Sequence, residues 1–69
     1  MANIFSTIAG KITEINLEVG MTVSGDDEAF IIEAMKMENV IYGEDGVVKE
    51  ILVKAGEMVE ENQLLAKIA

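Results

Sequence analysis

Cysteine, histidine, proline, tryptophan and arginine are all missing from this chain. Without cysteine or histidine there is no disulfide framework, no zinc site of the usual ligands, no thiol nucleophile and no imidazole base. No apolar run approaches the length that spans a bilayer. The stretch from Met1 to Lys11 also lacks the basic start and apolar segment of a signal peptide, so the expected compartment is intracellular, the cytoplasm. With 69 residues, the expected organisation is one domain over 1–69. A chain of this size buries roughly 60% of the surface its unfolded form exposes, enough for one thin core but not for a deep catalytic cleft as well. Stability must therefore come from packing and backbone pairing.

Positive charge is scarce too. Five lysines stand against 13 Asp and Glu, a net charge of −8. Such a surface repels a phosphate backbone and an anionic bilayer, which argues against nucleic acid and membrane partners and favours basic protein surfaces. The carboxylate pairs Asp26/Asp27 and Glu60/Glu61 fall in expected turns and lack the spacing of a calcium loop, so they read as solvated acids and give no sign of a catalytic pair.

What the chain does contain is an internal repeat. Sliding 10–33 onto 46–69, an offset of 36, aligns Gly10/Gly46, Glu14/Glu50, Ile15/Ile51, Gly20/Gly56, Val23/Val59 and Ile32/Ile68. Two copies are too few for a solenoid, so the halves are expected to pack on each other about a pseudo-two-fold axis.

Read alone, Ile51, Leu52, Ala55, Met58 and Val59 match an amphipathic helix. The first copy argues for strands, because it carries Ile, Thr, Val and Asn where a helix favours Ala, Leu or Gln. In both copies the apolar positions step by three (12 to 15, 48 to 51) and then by two (15, 17, 19 and 51, 53, 55). A phase slip followed by alternation indicates a bulged strand, with Gly20 and Gly56 in the turns that follow. The expected strands are Asn3–Ile8, Lys11–Leu17, Thr22–Val23, Ala29–Ala34, Met37–Tyr42, Val47–Val53, Met58–Val59 and Leu64–Ile68. The class is all-β, a small sandwich or flattened barrel.

Between two of these strands lie only Met35 and Lys36. Two-residue hairpins favour Asn-Gly or Asp-Gly, because both central residues take positive φ and a Cβ makes that unfavourable. Turn stability does not explain the choice, and strain at an exposed tip often accompanies function. The alternative is an ordinary helical turn with a solvated lysine, since Ala34 to Glu38 are good helix formers. The run Phe30, Ile31, Ile32 just before it favours the strand reading.

The run Glu33, Ala34, Met35, Lys36, Met37, Glu38, Asn39 resembles the attachment motif of the biotin carboxyl carrier domains of biotin-dependent carboxylases, decarboxylases and transcarboxylases. Gly20 with Val23, Ile32, the stretch 46–48 and the stretch 51–56 follow the same family, and the similarity runs from about Ser6 to Ile68. The resemblance implies a flattened β-barrel of two four-stranded antiparallel sheets with quasi-two-fold symmetry. It also implies that Lys36, at a hairpin tip, receives biotin through an amide to its ε-amine, attached by a biotin protein ligase that uses ATP. The biotin then carries a carboxyl group between active sites, so the expected partners are that ligase and biotin carboxylase, carboxyltransferase or decarboxylase subunits. The chain itself would be a carrier and not an enzyme.

An exposed lysine amine is mostly protonated at neutral pH, and the ligase must supply the base that frees it. Met35 and Met37 read either as packing residues or as an adaptable surface beside the lysine. Glu33, Ala34 and Glu38 are candidates for ligase recognition, although on so acidic a chain the two carboxylates also read as solvated. The sequence departs from the family where Ile8 and Ala9 stand for Met-Pro, where Gly25 precedes the usual glycine position held by Asp26, and at Tyr42, Gly43 and Glu44 in place of Thr-Ala-Pro. No insertion resembles the protruding thumb of some acetyl-CoA carboxylase carriers. Two other functions remain open at this point. One is a lipoyl carrier, whose motif usually has Asp before the lysine and Ala or Val after it; the other is an unmodified interaction domain.

Overall fold

A register slip repeated in both halves organises the molecule. The computed structural model describes residues 2–69. Its eight strands are β1 (Ala2–Phe5), β2 (Gly10–Ile15), β3 (Thr22–Val23), β4 (Glu28–Ala34), β5 (Met37–Tyr42), β6 (Gly46–Ile51), β7 (Met58–Val59) and β8 (Leu64–Ile68). They form two four-stranded antiparallel sheets, ordered β1-β8-β6-β3 and β5-β4-β2-β7. Between β2 and β4, Ile12 faces Ile32 and Glu14 faces Ile31, so Thr13 is the extra residue of a bulge in β2. Between β6 and β8, Val48 faces Ile68 and Glu50 faces Lys67, so Lys49 is its counterpart in β6. The three-residue apolar step seen in the sequence is the mark of these bulges, which bring Ile12 with Ile15, and Val48 with Ile51, onto one side.

The halves interlock. β2 of the first half pairs with β7 of the second, and β6 of the second with β3 of the first. Ile12 donates its amide to the Glu57 carbonyl at 2.8 Å and accepts from Gly56 at 2.7 Å. In the equivalent place Val48 donates to Met21 at 2.9 Å and accepts from Gly20 at 2.8 Å. Gly20 and Gly56 reach these partners with φ of 92° and 91°, a conformation that disfavours any Cβ. Residues 24–27 and 60–63 close alike, with Ser24 N donating to Asp27 Oδ2 and Glu60 N to Gln63 Oε1, each at 2.9 Å.

The core lies between the sheets. Phe30, Ile12, Ile32, Leu65, Ile68 and Val48 are its largest fully buried hydrophobic side chains. They pack with Leu17, Val53, Val23 and Val59, again related by the offset of 36.

Three expected strands run too long. Against the expected Asn3–Ile8, Lys11–Leu17 and Val47–Val53, β1 stops at Phe5, β2 at Ile15 and β6 at Ile51. Leu17 and Val53 are buried, but by the chain folding over the core, while Val19 is exposed. Alternating burial does not require a ladder, and here loops supply it. The end of β1 has a local cause. Ser6 is buried, its hydroxyl donates to the Ile8 carbonyl at 2.5 Å, and its backbone pairs with Gln63 and Asn62. Those bonds hold Ser6 against residues 62–63, just ahead of β8, and the hydroxyl bond to Ile8 turns the chain there.

Candidate functional site

β4 and β5 pair from Glu28↔Tyr42 to Ala34↔Met37, leaving only Met35 and Lys36 to make the turn. Both have positive φ, 54° and 64°, the type I′ pattern, and neither is Gly, Asn or Asp. Each such residue is disfavoured by about 1–2 kcal/mol. A domain of this length has a total stability of about 3–10 kcal/mol, so the tip spends an appreciable share of it. No helix runs through the turn among the described residues, which settles the alternative of a helical segment.

The turn holds its side chains in solvent. Lys36 is exposed, Met35 is 92% exposed and Met37 is 67% exposed. The two methionines are therefore not core fillers. The single ion pair among the described residues joins Lys67 to Glu50 at 3.8 Å, so no carboxylate holds the Lys36 amine. An unpaired primary amine at the apex of a rigid hairpin is open to acylation from every side. That arrangement fits a large group joined by an amide, for which an enclosed lysine would leave no room.

The foot of the hairpin is built from Glu33, Ala34 and Glu38. Glu33 and Glu38 are directly opposed across β4 and β5, both exposed, and Glu33 is also opposed to Lys11 of β2. Ala34 is half-buried at the end of β4. The sequence reading thus placed Lys36, Met35, Met37, Glu33, Ala34 and Glu38 in one locality, and the structure brings all six together.

Three further residues belong there and were missed as site residues. Asn39 donates through Nδ2 to the Met37 carbonyl at 3.3 Å and the Ile32 carbonyl at 3.4 Å, bracing the last pairs below the turn. Gly10 is buried beneath the foot, where an added Cβ would lie 2.5 Å from the Glu33 carbonyl oxygen and 2.7 Å from Ile32 Cγ2. Met58 on β7 is 68% exposed and, with Met35, borders an open groove beside the turn. Asn39 stood within the motif and carried a hint. Gly10 and Met58 become neighbours only through the β2–β7 pairing.

A flattened β-barrel with a bare lysine on a strained two-residue turn has the form of an attachment domain. The chain belongs to the biotin/lipoyl family, whose model, described as "Biotin-requiring enzyme", matches residues 1–68. The chain is 37% identical over 68 residues to the pyruvate carboxylase of Staphylococcus aureus, a match covering 97% of this chain and 6% of that protein. It is 30% identical over 63 residues to the biotin/lipoyl attachment protein of Bacillus subtilis, covering 90% of this chain and 86% of that one. Among solved structures, the urea carboxylase of Kluyveromyces lactis superposes with a TM-score of 0.87 at 38% identity, over 99% of this chain and 6% of that one. The chain thus spans a small part of the large carboxylases it resembles and most of the small attachment protein. It is similar to carboxylase biotin carrier domains.

Proposed function

We propose that this chain is a biotin carboxyl carrier, with biotin joined through an amide to Nζ of Lys36. The observation that carries the reading is the amine itself, exposed and free of ion pairing on a turn whose two residues are held at positive φ. The methionines on either side and the identity to a pyruvate carboxylase support biotin as the group. Once attached, biotin supplies a ring that accepts and releases a carboxyl group.

The chain's own contribution is presentation. The β4–β5 ladder fixes the direction of the tip, Asn39 braces the strands beneath it, and the exposed turn lets the lysine stem reach into the active sites of other subunits. With no histidine or cysteine to serve as base or nucleophile, the domain leaves both acylation and carboxyl transfer to its partners. Those partners are a biotin protein ligase using ATP, and biotin carboxylase with a carboxyltransferase or decarboxylase. Glu33 and Glu38 offer the ligase a doubly negative edge two and three residues from the lysine, suited to a basic docking surface. Ala34, half-buried between them and the turn, leaves that approach unobstructed.

Incubation with ATP, biotin and a purified biotin protein ligase should label the wild-type chain and leave Lys36→Arg unlabelled, with both proteins folded by circular dichroism. Equal labelling of the two would overturn the site. Intact mass after coexpression with biotin and lipoyl ligases distinguishes the groups, and a lipoyl adduct alone would replace biotin in this reading.

A further inference from the structure

Beside the lysine hairpin lies an open groove of about 360 Å³. Ala34 and Met35 form one wall, Met58 and Val59 of β7 the other, and Gly10 the floor. Glu33 and Glu60 stand at its rim. The volume is at the lower end of the range that holds small organic ligands, and the walls are apolar with a few polar groups at the edge, as such sites usually are.

The pseudo-two-fold axis provides an internal comparison. Under the offset of 36, Met58 corresponds to Thr22, Ala9 of the groove to Asp45, and Glu60 to Ser24. The backbone is repeated at the opposite pole, where β3 pairs with β6 through Thr22↔Val47 and Val23↔Gly46. The barrel therefore tolerates small polar residues at these places. Met58 and Ala9 are not required at these two places by the fold, since Thr22 and Asp45 fill their counterparts. What distinguishes Met58 is its company: with Met35, Ala34 and Val59 it forms a contiguous apolar surface beside the lysine hairpin, the kind of patch that marks a ligand site.

We infer that this groove is a resting site for the bicyclic ring of the biotin carried by the same chain on Lys36, an inference that rests on the proposed function. Met35, one wall of the groove, is the lysine's covalent neighbour, so the tether begins at the site's edge. A short flexible tether gives an effective concentration on the order of millimolar, so even a millimolar intrinsic affinity keeps the ring docked about half of the time. Thioether side chains on both walls suit the sulfur-containing, weakly polar ring. The carboxylates of Glu33 and Glu60 accept hydrogen bonds only, and so match the N–H donors of the ureido group. A resting site this weak shields the ring between visits without competing with a partner's active site.

The test uses methionine methyl resonances, in the unmodified chain and after loading by ligase, with intact mass confirming the adduct. Loading should move the Met35 and Met58 methyl signals and leave that of Met21 in place, since Met21 lies in the turn beside Val48. In Met58→Thr, which installs the residue of the symmetry-related position, the displacement of the Met35 signal should fall by about half or more. A fully loaded chain whose Met58 signal does not move would overturn the resting site and leave the carrier function intact. A chain whose mass never increases would overturn both.

Discussion

Gly10 lies so close beneath Glu33 that a Cβ added to it would come 2.5 Å from the Glu33 carbonyl oxygen. The contact lies just below the foot of the hairpin and involves backbone, which cannot rotate aside. Gly10→Ala should therefore push β4 outward at the point from which Lys36 is presented. The expected loss is about 2 kcal/mol, read as a fall of roughly 10 °C in Tm, with slower labelling by ligase. Gly20→Ala is the control. It has positive φ but nothing within 4 Å of its added Cβ, so it should lose only about 1 kcal/mol and label normally.

Strain at the tip is separable from the amine. Asparagine tolerates positive φ better than methionine, so Met35→Asn should raise stability by about 0.5–1 kcal/mol in urea unfolding while keeping the lysine. Adding Lys36→Gly should raise it further and abolish labelling. No gain in either variant would mean that the turn is not strained.

The two carboxylates at the foot of the hairpin differ in their neighbours. Glu38 is on an edge strand and faces only Glu33 across the ladder, whereas Glu33 also faces Lys11. Glu38→Gln should therefore stabilise the domain by about 0.2–1 kcal/mol, with the gain shrinking as salt is added, and Glu33→Gln should do less. If the pair also meets the ligase, both variants should raise KM for labelling while the fold is unharmed or improved.

Phe30 fills the centre of the core and is fully buried. Phe30→Ala should remove about 3–5 kcal/mol, most of the stability of so small a domain, and thermal or urea unfolding should show little or no folded baseline. Met37→Ala, on the exposed tip, should change stability by less than about 0.5 kcal/mol.

Much of this architecture could be read from the chain because its two halves repeat the same local devices. The bulges at Thr13 and Lys49 announced themselves as three-residue steps between buried positions, and the turn stood out because Met-Lys occupies a place that chemistry reserves for Asn-Gly. The same alternation misled beyond Ile15 and Ile51, because burial of Leu17 and Val53 reports proximity to the core and carries no information on whether a ladder continues. Met58 and Gly10 were silent for another reason. They sit far from Lys36 in sequence, and only the pairing of Gly10 with Val59 and Lys11 with Met58 brings them beside the hairpin.

The exchange of β3 and β7 between the halves ties them together at two places. β2 is clasped by β7 and β6 by β3, each a short strand of the opposite half, so the halves separate only when both pairings break. If Lys36 carries biotin as proposed, the domain would not deliver it by flexing. An excursion longer than the side chain and such an adduct would move the entire barrel as one rigid bead.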